Sequence, residues 1–110
     1  MLSYFTRDRV RGPRLPLEFV VHKLTRDSAE VYGLRDRGVI APGYMADLNL
    51  IDYDVLKLHQ PEMVYDLPAG GKRLVQKADG YRLTIKAGVV TFENGTPTGA
   101  LPGRLLRGHA

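Results

Sequence analysis

Tyr81-Arg-Leu-Thr-Ile-Lys-Ala-Gly-Val-Val-Thr-Phe-Glu-Asn-Gly95 is the stretch that decides the fold. Tyr81, Leu83, Ile85 and Ala87 alternate with Arg82, Thr84 and Lys86, the period of a half-buried strand. Ala87-Gly88 turns the chain back into Val89-Val-Thr-Phe92, and Asn94-Gly95 turns it again. Asp79-Gly80 just upstream is a further hairpin signal, with Arg73–Ala78 as the strand before it. Three turn signals between short alternating runs predict an antiparallel meander. Beyond it, Thr98-Gly-Ala-Leu-Pro-Gly-Arg104 reads as a Gly/Pro-rich terminal strap.

Working back from the meander, Ala46–Asp52 alternates Leu48 and Leu50 with Asp47 and Asn49, which predicts another strand, introduced by the Pro42-Gly43 turn. Residues 53–71 carry Pro61, Pro68 and Gly70-Gly71 and read as a long connection. The first third has a different period. Leu17, Val20, Val21 and Leu24 fall at i, i+3, i+4 and i+7, predicting a helix that starts at Pro16. Burying that stripe would contribute on the order of 6–10 kcal/mol gross, an upper bound. Thr25 is placed as the cap of a second short helix, running through Ala29 and Tyr32 to a stop at Gly33. The expected fold class is therefore α+β, N-terminal helices followed by a small antiparallel β-sheet. Residues 1–35 form a helical part and residues 36–110 a β-rich part of one compact unit.

Composition excludes several classes. The 110 residues are 25% charged and 44% hydrophobic, which is globular rather than disordered. There is no apolar run of 18 residues and no apolar leader after Met1, so neither a membrane span nor an export signal is expected. Cysteine is absent, which removes disulfides and thiolate metal sites. A cytoplasmic location is the matching expectation. The net charge of +4 gathers at the ends, with Arg7, Arg9, Arg11 and Arg14 at one and Arg104 and Arg107 at the other. Such a patch can bind phosphates, but a solvated cluster is the simpler reading. The strands lack aromatic–basic alternation, so nucleic acid is not an expected partner.

Chemistry-bearing motifs are sparse. His22, His59 and His109 stand far apart with no metal-ligand spacing. Asp52 and Asp54 would share a strand face and read as solvated acids. Gly70-Gly71-Lys72-Arg73 lacks the spacing of a phosphate loop and reads as a loop entering a strand. Ser3 and Ser28 sit in no nucleophile elbow. No catalytic residue and no metal ligand is assigned.

The succession of motifs carries more than any one of them. Arg7-Asp-Arg-Val-Arg-Gly12, Leu17-Glu18, Gly33-Leu-Arg-Asp-Arg-Gly38, Ala41-Pro-Gly-Tyr-Met-Ala-Asp-Leu-Asn-Leu-Ile-Asp52, Asp66-Leu-Pro-Ala-Gly-Gly-Lys-Arg-Leu-Val-Gln76 and Thr98–Arg104 resemble, in order, the end of the amidohydrolase superfamily. The resemblance is to the N-acyl-D-amino-acid deacylase (D-aminoacylase) branch. It implies a parent several times longer, with a zinc-bearing (β/α)₈ barrel and a small β-sandwich built from both chain ends. Residues 1–35 would correspond to the last barrel loop and the helices after it, and residues 36–110 to the C-terminal part of the sandwich. No position here matches a family metal ligand, so zinc is expected in the parent and no cofactor in this chain.

Residues 1–11 would lie near the barrel mouth, where substrate binds. Arg7, Arg9 and Arg11 are the candidates there for a substrate carboxylate. The resemblance thus implies a structural C-terminal segment of an N-acyl-D-amino-acid hydrolase, not catalytic alone. The alternative is a stand-alone interaction module derived from such an enzyme. Either way, exposed edges and faces predict a homo-oligomer or a missing catalytic portion as partner.

Overall fold

The computed structural model describes residues 1–107, and His109 lies outside them. The fold is α+β. A π-wound turn (Tyr4–Asp8) leads through an extended segment to α1 (Leu17–His22), a π-wound stretch (Lys23–Asp27) and α2 (Ser28–Val31). The last three run on as one helical rod. Pro16 is the residue before that helix, with an extended ψ of 140°, so the helix starts one residue later than expected. Thr25 caps nothing. Its hydroxyl donates to the Val21 carbonyl at 2.7 Å, the i−4 bond a mid-helix threonine makes, and the expected break between two helices is absent. The stop at Gly33 is where the sequence places it. The Leu34 N–H donates to the Ala29 carbonyl at 2.8 Å and the Gly33 N–H to that of Glu30 at 3.1 Å, the paired bonds of a Schellman end.

The main sheet has four strands, β1 (Leu48–Ile51), β6 (Tyr81–Lys86), β7 (Val89–Glu93) and β8 (Thr96–Pro97), in the order β1-β6-β7-β8. All its pairings are antiparallel. Two of the three expected hairpin turns are present in this sheet. Ala87 and Gly88 (φ 51° and 79°) and Asn94 and Gly95 (φ 48° and 80°) are both left-handed pairs, the geometry of two-residue hairpin turns.

The long connection is not a loop. It holds β2 (Lys57–Leu58), β3 (Glu62–Val64) and a 3₁₀ turn (Pro68–Gly70). Strand β3 pairs with β4 (Arg73–Val75) and β2 with β5 (Ala78–Asp79), making a bent two-stranded ribbon. Asp79-Gly80 is consequently no hairpin turn. Gly80 passes the chain from the ribbon into the main sheet, with φ 97° and its carbonyl accepting from the Asp52 N–H at 2.8 Å. A Cβ there would sit 2.8 Å from the Leu56 Cα, a second reason for glycine beyond the dihedral.

Little is buried. Among the described residues the buried apolar side chains are Val20, Ala29 and Leu56, joined by Ser3, and of these only Val20 is fully withdrawn from water. Of the predicted helix stripe only Val20 is buried, while Val21 and Leu24 remain over 40% exposed. Register puts Leu48, Leu50, Leu83, Ile85 and Val90 on one face of the main sheet. None of the five is buried, and Leu50 is 56% exposed. The chain exposes 8847 Å², against about 6,100 Å² for a compact monomer of this length. Its radius of gyration is 16.2 Å, against about 13 Å. No helix among the described residues is long and apolar enough to cross a membrane.

Candidate functional site

The three arginines singled out near the N-terminus occupy different settings. Arg7 lies over the Tyr53 ring, 5.3 Å from its centroid. Its Nη atoms donate to the Tyr53 and Leu56 carbonyls and, at 3.2 Å, to that of Asp54, while Nε meets Asp8 Oδ1 at 2.7 Å. Those bonds fasten the N-terminal turn to the segment entering β2. Thr6 strengthens the join with a 2.6 Å hydrogen bond to the Tyr53 hydroxyl. The Asp8 hydrogen bond holds the Arg7 guanidinium above its ordinary pKa, and the same bond pulls the Asp8 carboxyl down. Arg9 folds back to donate to the Arg11 carbonyl and lies 5.7 Å from the Phe5 ring centroid. Arg11 is exposed, and among the described residues its side chain has no ion-pair partner. Arg7 and Arg9 share no hydrogen-bond partner.

The histidines are likewise apart. His22 Nδ1 pairs with Asp27 at 2.9 Å and His59 Nε2 with Asp79 at 2.9 Å, each a surface contact within its own neighbourhood. Asp52 is held by Arg82 at 2.9 Å and Asp54 lies in the turn after β1, so these two acids do not face one another as a pair. Among the described residues no three His, Cys, Asp or Glu side chains cluster closely enough to hold a metal ion. The donor set present therefore does not fit a zinc site, and no chemical step is assigned to one in this chain.

A polar centre that the sequence reading did not single out lies where β1, β6 and the Gly33–Gly38 turn meet. Asp47 accepts from Lys86 Nζ at 2.9 Å on both oxygens, from the Ala87 N–H at 2.9 Å and from Arg37 Nη1. Desolvation pushes the Asp47 carboxyl upward, but the bonds from Lys86, the Ala87 amide and Arg37 outweigh it and hold the group below the ordinary carboxylate range. The Arg37 side chain is only 12% exposed. Beside this centre the strap 101–107 borders two adjoining cavities of about 450 and 520 Å³. Arg35, Arg37 and Arg107 line the first, and Arg37, Lys86 and Arg104 the second. The only sequence signal was the basic tail. Its meeting with residues more than sixty positions upstream needs the fold.

Comparison with known proteins adds a family. Residues 3–92 match the sequence profile described as "Amidohydrolase family". The chain is 32% identical over 98% of its length to adenine deaminase 1 of Agrobacterium fabrum, covering 21% of that protein. It is 35% identical over 81% of its length to a 5-methylthioadenosine/S-adenosylhomocysteine deaminase of Desulfitobacterium hafniense, covering 22% of it. A shorter stretch, 42% of the chain, is 49% identical to an N-acyl-D-aspartate deacylase of Alcaligenes xylosoxydans xylosoxydans, covering 9% of it. The chain thus spans about one-fifth or less of the length of the curated relatives it matches. No solved structure matches it.

Proposed function

This chain belongs to the amidohydrolase family, and from that premise we propose that it is the C-terminal structural segment of a larger metal-dependent amidohydrolase, with no catalysis of its own. The observation that carries the reading is the uncovered surface. About 2,700 Å² more than a compact monomer exposes is the scale of an obligate interface, not of a transient contact. It includes Leu50 on the apolar face of the main sheet, whose other members are half-buried, and Val21 and Leu24 of the helix stripe. A small catalytic domain closes its core around its site. This chain leaves much apolar surface uncovered, and among the described residues no group of three His, Cys, Asp or Glu side chains could hold a metal ion.

Within this reading the parent hydrolyses an N-acyl-D-amino acid. The 49% identity to the N-acyl-D-aspartate deacylase supports that branch. The fuller coverage by the two deaminases favours, as the second reading, a parent that deaminates a purine. The metal would be held by parent residues outside this chain, supplying an activated water. Arg11, with Arg9 beside it, is the proposed contact for a substrate carboxylate, since Arg7 spends its donors on backbone carbonyls.

The test is the coding sequence upstream of Met1, followed by assay of the complete product. In-frame barrel strands with a His-x-His motif, and release of a D-amino acid from its N-acyl derivative, are expected. Turnover of adenine instead selects the deaminase parent. A stop codon directly upstream sinks the segment reading and leaves the free-standing interaction module.

A further inference from the structure

We propose that the trough beneath the C-terminal strap is a binding site for a small multivalent oxyanion, a phosphate ester or a polycarboxylate. The two cavities share Arg37 and Leu106 and so lie side by side along the strap, together making up the trough. Each half is within the size range of small-molecule sites, roughly 300–1,000 Å³.

Charge argues for an anion. Arg35, Arg37, Lys86, Arg104 and Arg107 line the trough, and the carboxylates on hand are Asp36, in its wall, and Asp47, bonded to Arg37 and Lys86. Five cations against two carboxylates leave three positive charges uncompensated. Among the described residues, Arg35, Arg104 and Arg107 have no carboxylate within ion-pair distance.

Backbone donors lie along the strap as well. Arg37 Nε is withdrawn from solvent and lies 3.3 Å from Asp36 Oδ1 as an ion pair, so Arg37 contributes its charge to the trough and not this N–H. Along the strap, none of the backbone N–H groups of residues 101–107 donates to a backbone carbonyl among the described residues. Amides of residues 103–107, after the N–H-less Pro102, together with guanidinium forks suit an oxyanion with several acceptor oxygens. A singly charged anion would leave most of this capacity unused.

The test uses the 110-residue chain itself, so its result is independent of which parent enzyme the chain completes. Inorganic phosphate and citrate are titrated separately by calorimetry at constant ionic strength, with sodium chloride as compensator. A saturable isotherm for at least one is expected. Arg104→Gln/Arg107→Gln should weaken it at least about tenfold, because charge-assisted forks are lost. The charge-matched Lys57→Gln/Lys72→Gln, remote from the trough, should retain it. Arg35→Gln on the opposite wall is the second readout should the strap variant fail to fold. A non-saturating response to both anions, or equal weakening by the trough and remote pairs, overturns the proposal. Saturation by phosphate alone or citrate alone identifies which oxyanion class the trough accepts.

Discussion

Asp47 shows how much a single residue connects. Its carboxylate joins the Arg37 turn, the end of β6 and the Ala87 amide of the first hairpin turn. Its pKa lies below the ordinary value in the folded chain and near about 3.9 in the unfolded one. The stability it contributes is therefore present above that unfolded value, and is lost as pH falls through the depressed folded value. Asp8, Asp27, Asp52 and Asp66, drawn down mainly by Arg7, Lys23, Arg82 and Arg73, act in the same direction, but as exposed pairs they add little. Asp47→Asn should cost about 2 kcal/mol at neutral pH and flatten the acid limb of stability between about pH 6 and pH 2. Thermal midpoints of both proteins across that range decide it. An acid limb as steep in the variant as in the parent chain would refute the role given to Asp47.

At the scale of elements, turn chemistry was legible and strand pairing was only partly so. Ala87-Gly88 and Asn94-Gly95 need left-handed dihedrals that few residue pairs supply, so both hairpin turns read directly from the chain. The same logic failed at Asp79-Gly80. There the left-handed glycine serves a close approach to Leu56, not a hairpin. The ribbon of β2 to β5 escaped notice because strands of two and three residues are too short to show a period. The rod from Leu17 to Val31 was split in two because threonine, a favoured cap, is also tolerated mid-helix when it bonds back to the i−4 carbonyl. Gly80→Ala adds the strain of a positive φ to an overlap with the Leu56 backbone, with no flexible side chain to yield. A loss of roughly 2–5 kcal/mol is expected, measured by urea denaturation. A loss below about 0.5 kcal/mol, the scale of an ordinary surface change, would mean that ribbon and sheet are not locked together at this point.

At the scale of the whole molecule the exposed apolar surface dominates. Strand β8 is short and carries Pro97, which blunts that edge of the sheet, while β1 leaves four residues open at the other. One apolar sheet face lies above that open edge. Isolated in solution, the chain is expected to self-associate at tens of micromolar and to bind a hydrophobic dye, as incompletely covered cores do. Sedimentation velocity with dye titration measures both. A monodisperse, dye-negative monomer would contradict the uncovered-surface argument and with it the need for a partner. The sequence by itself determined the α+β class, the hairpin turns at Ala87-Gly88 and Asn94-Gly95, the helix stop at Gly33 and the family, because these rest on local dihedral preference, short-range period and motif order. Only the tertiary structure decided that the long connection is a paired ribbon, that Arg7 is a fastening between segments, and that Arg35, Lys86 and Arg104 surround one trough. Those depend on contacts between residues far apart in the chain, which no local pattern encodes.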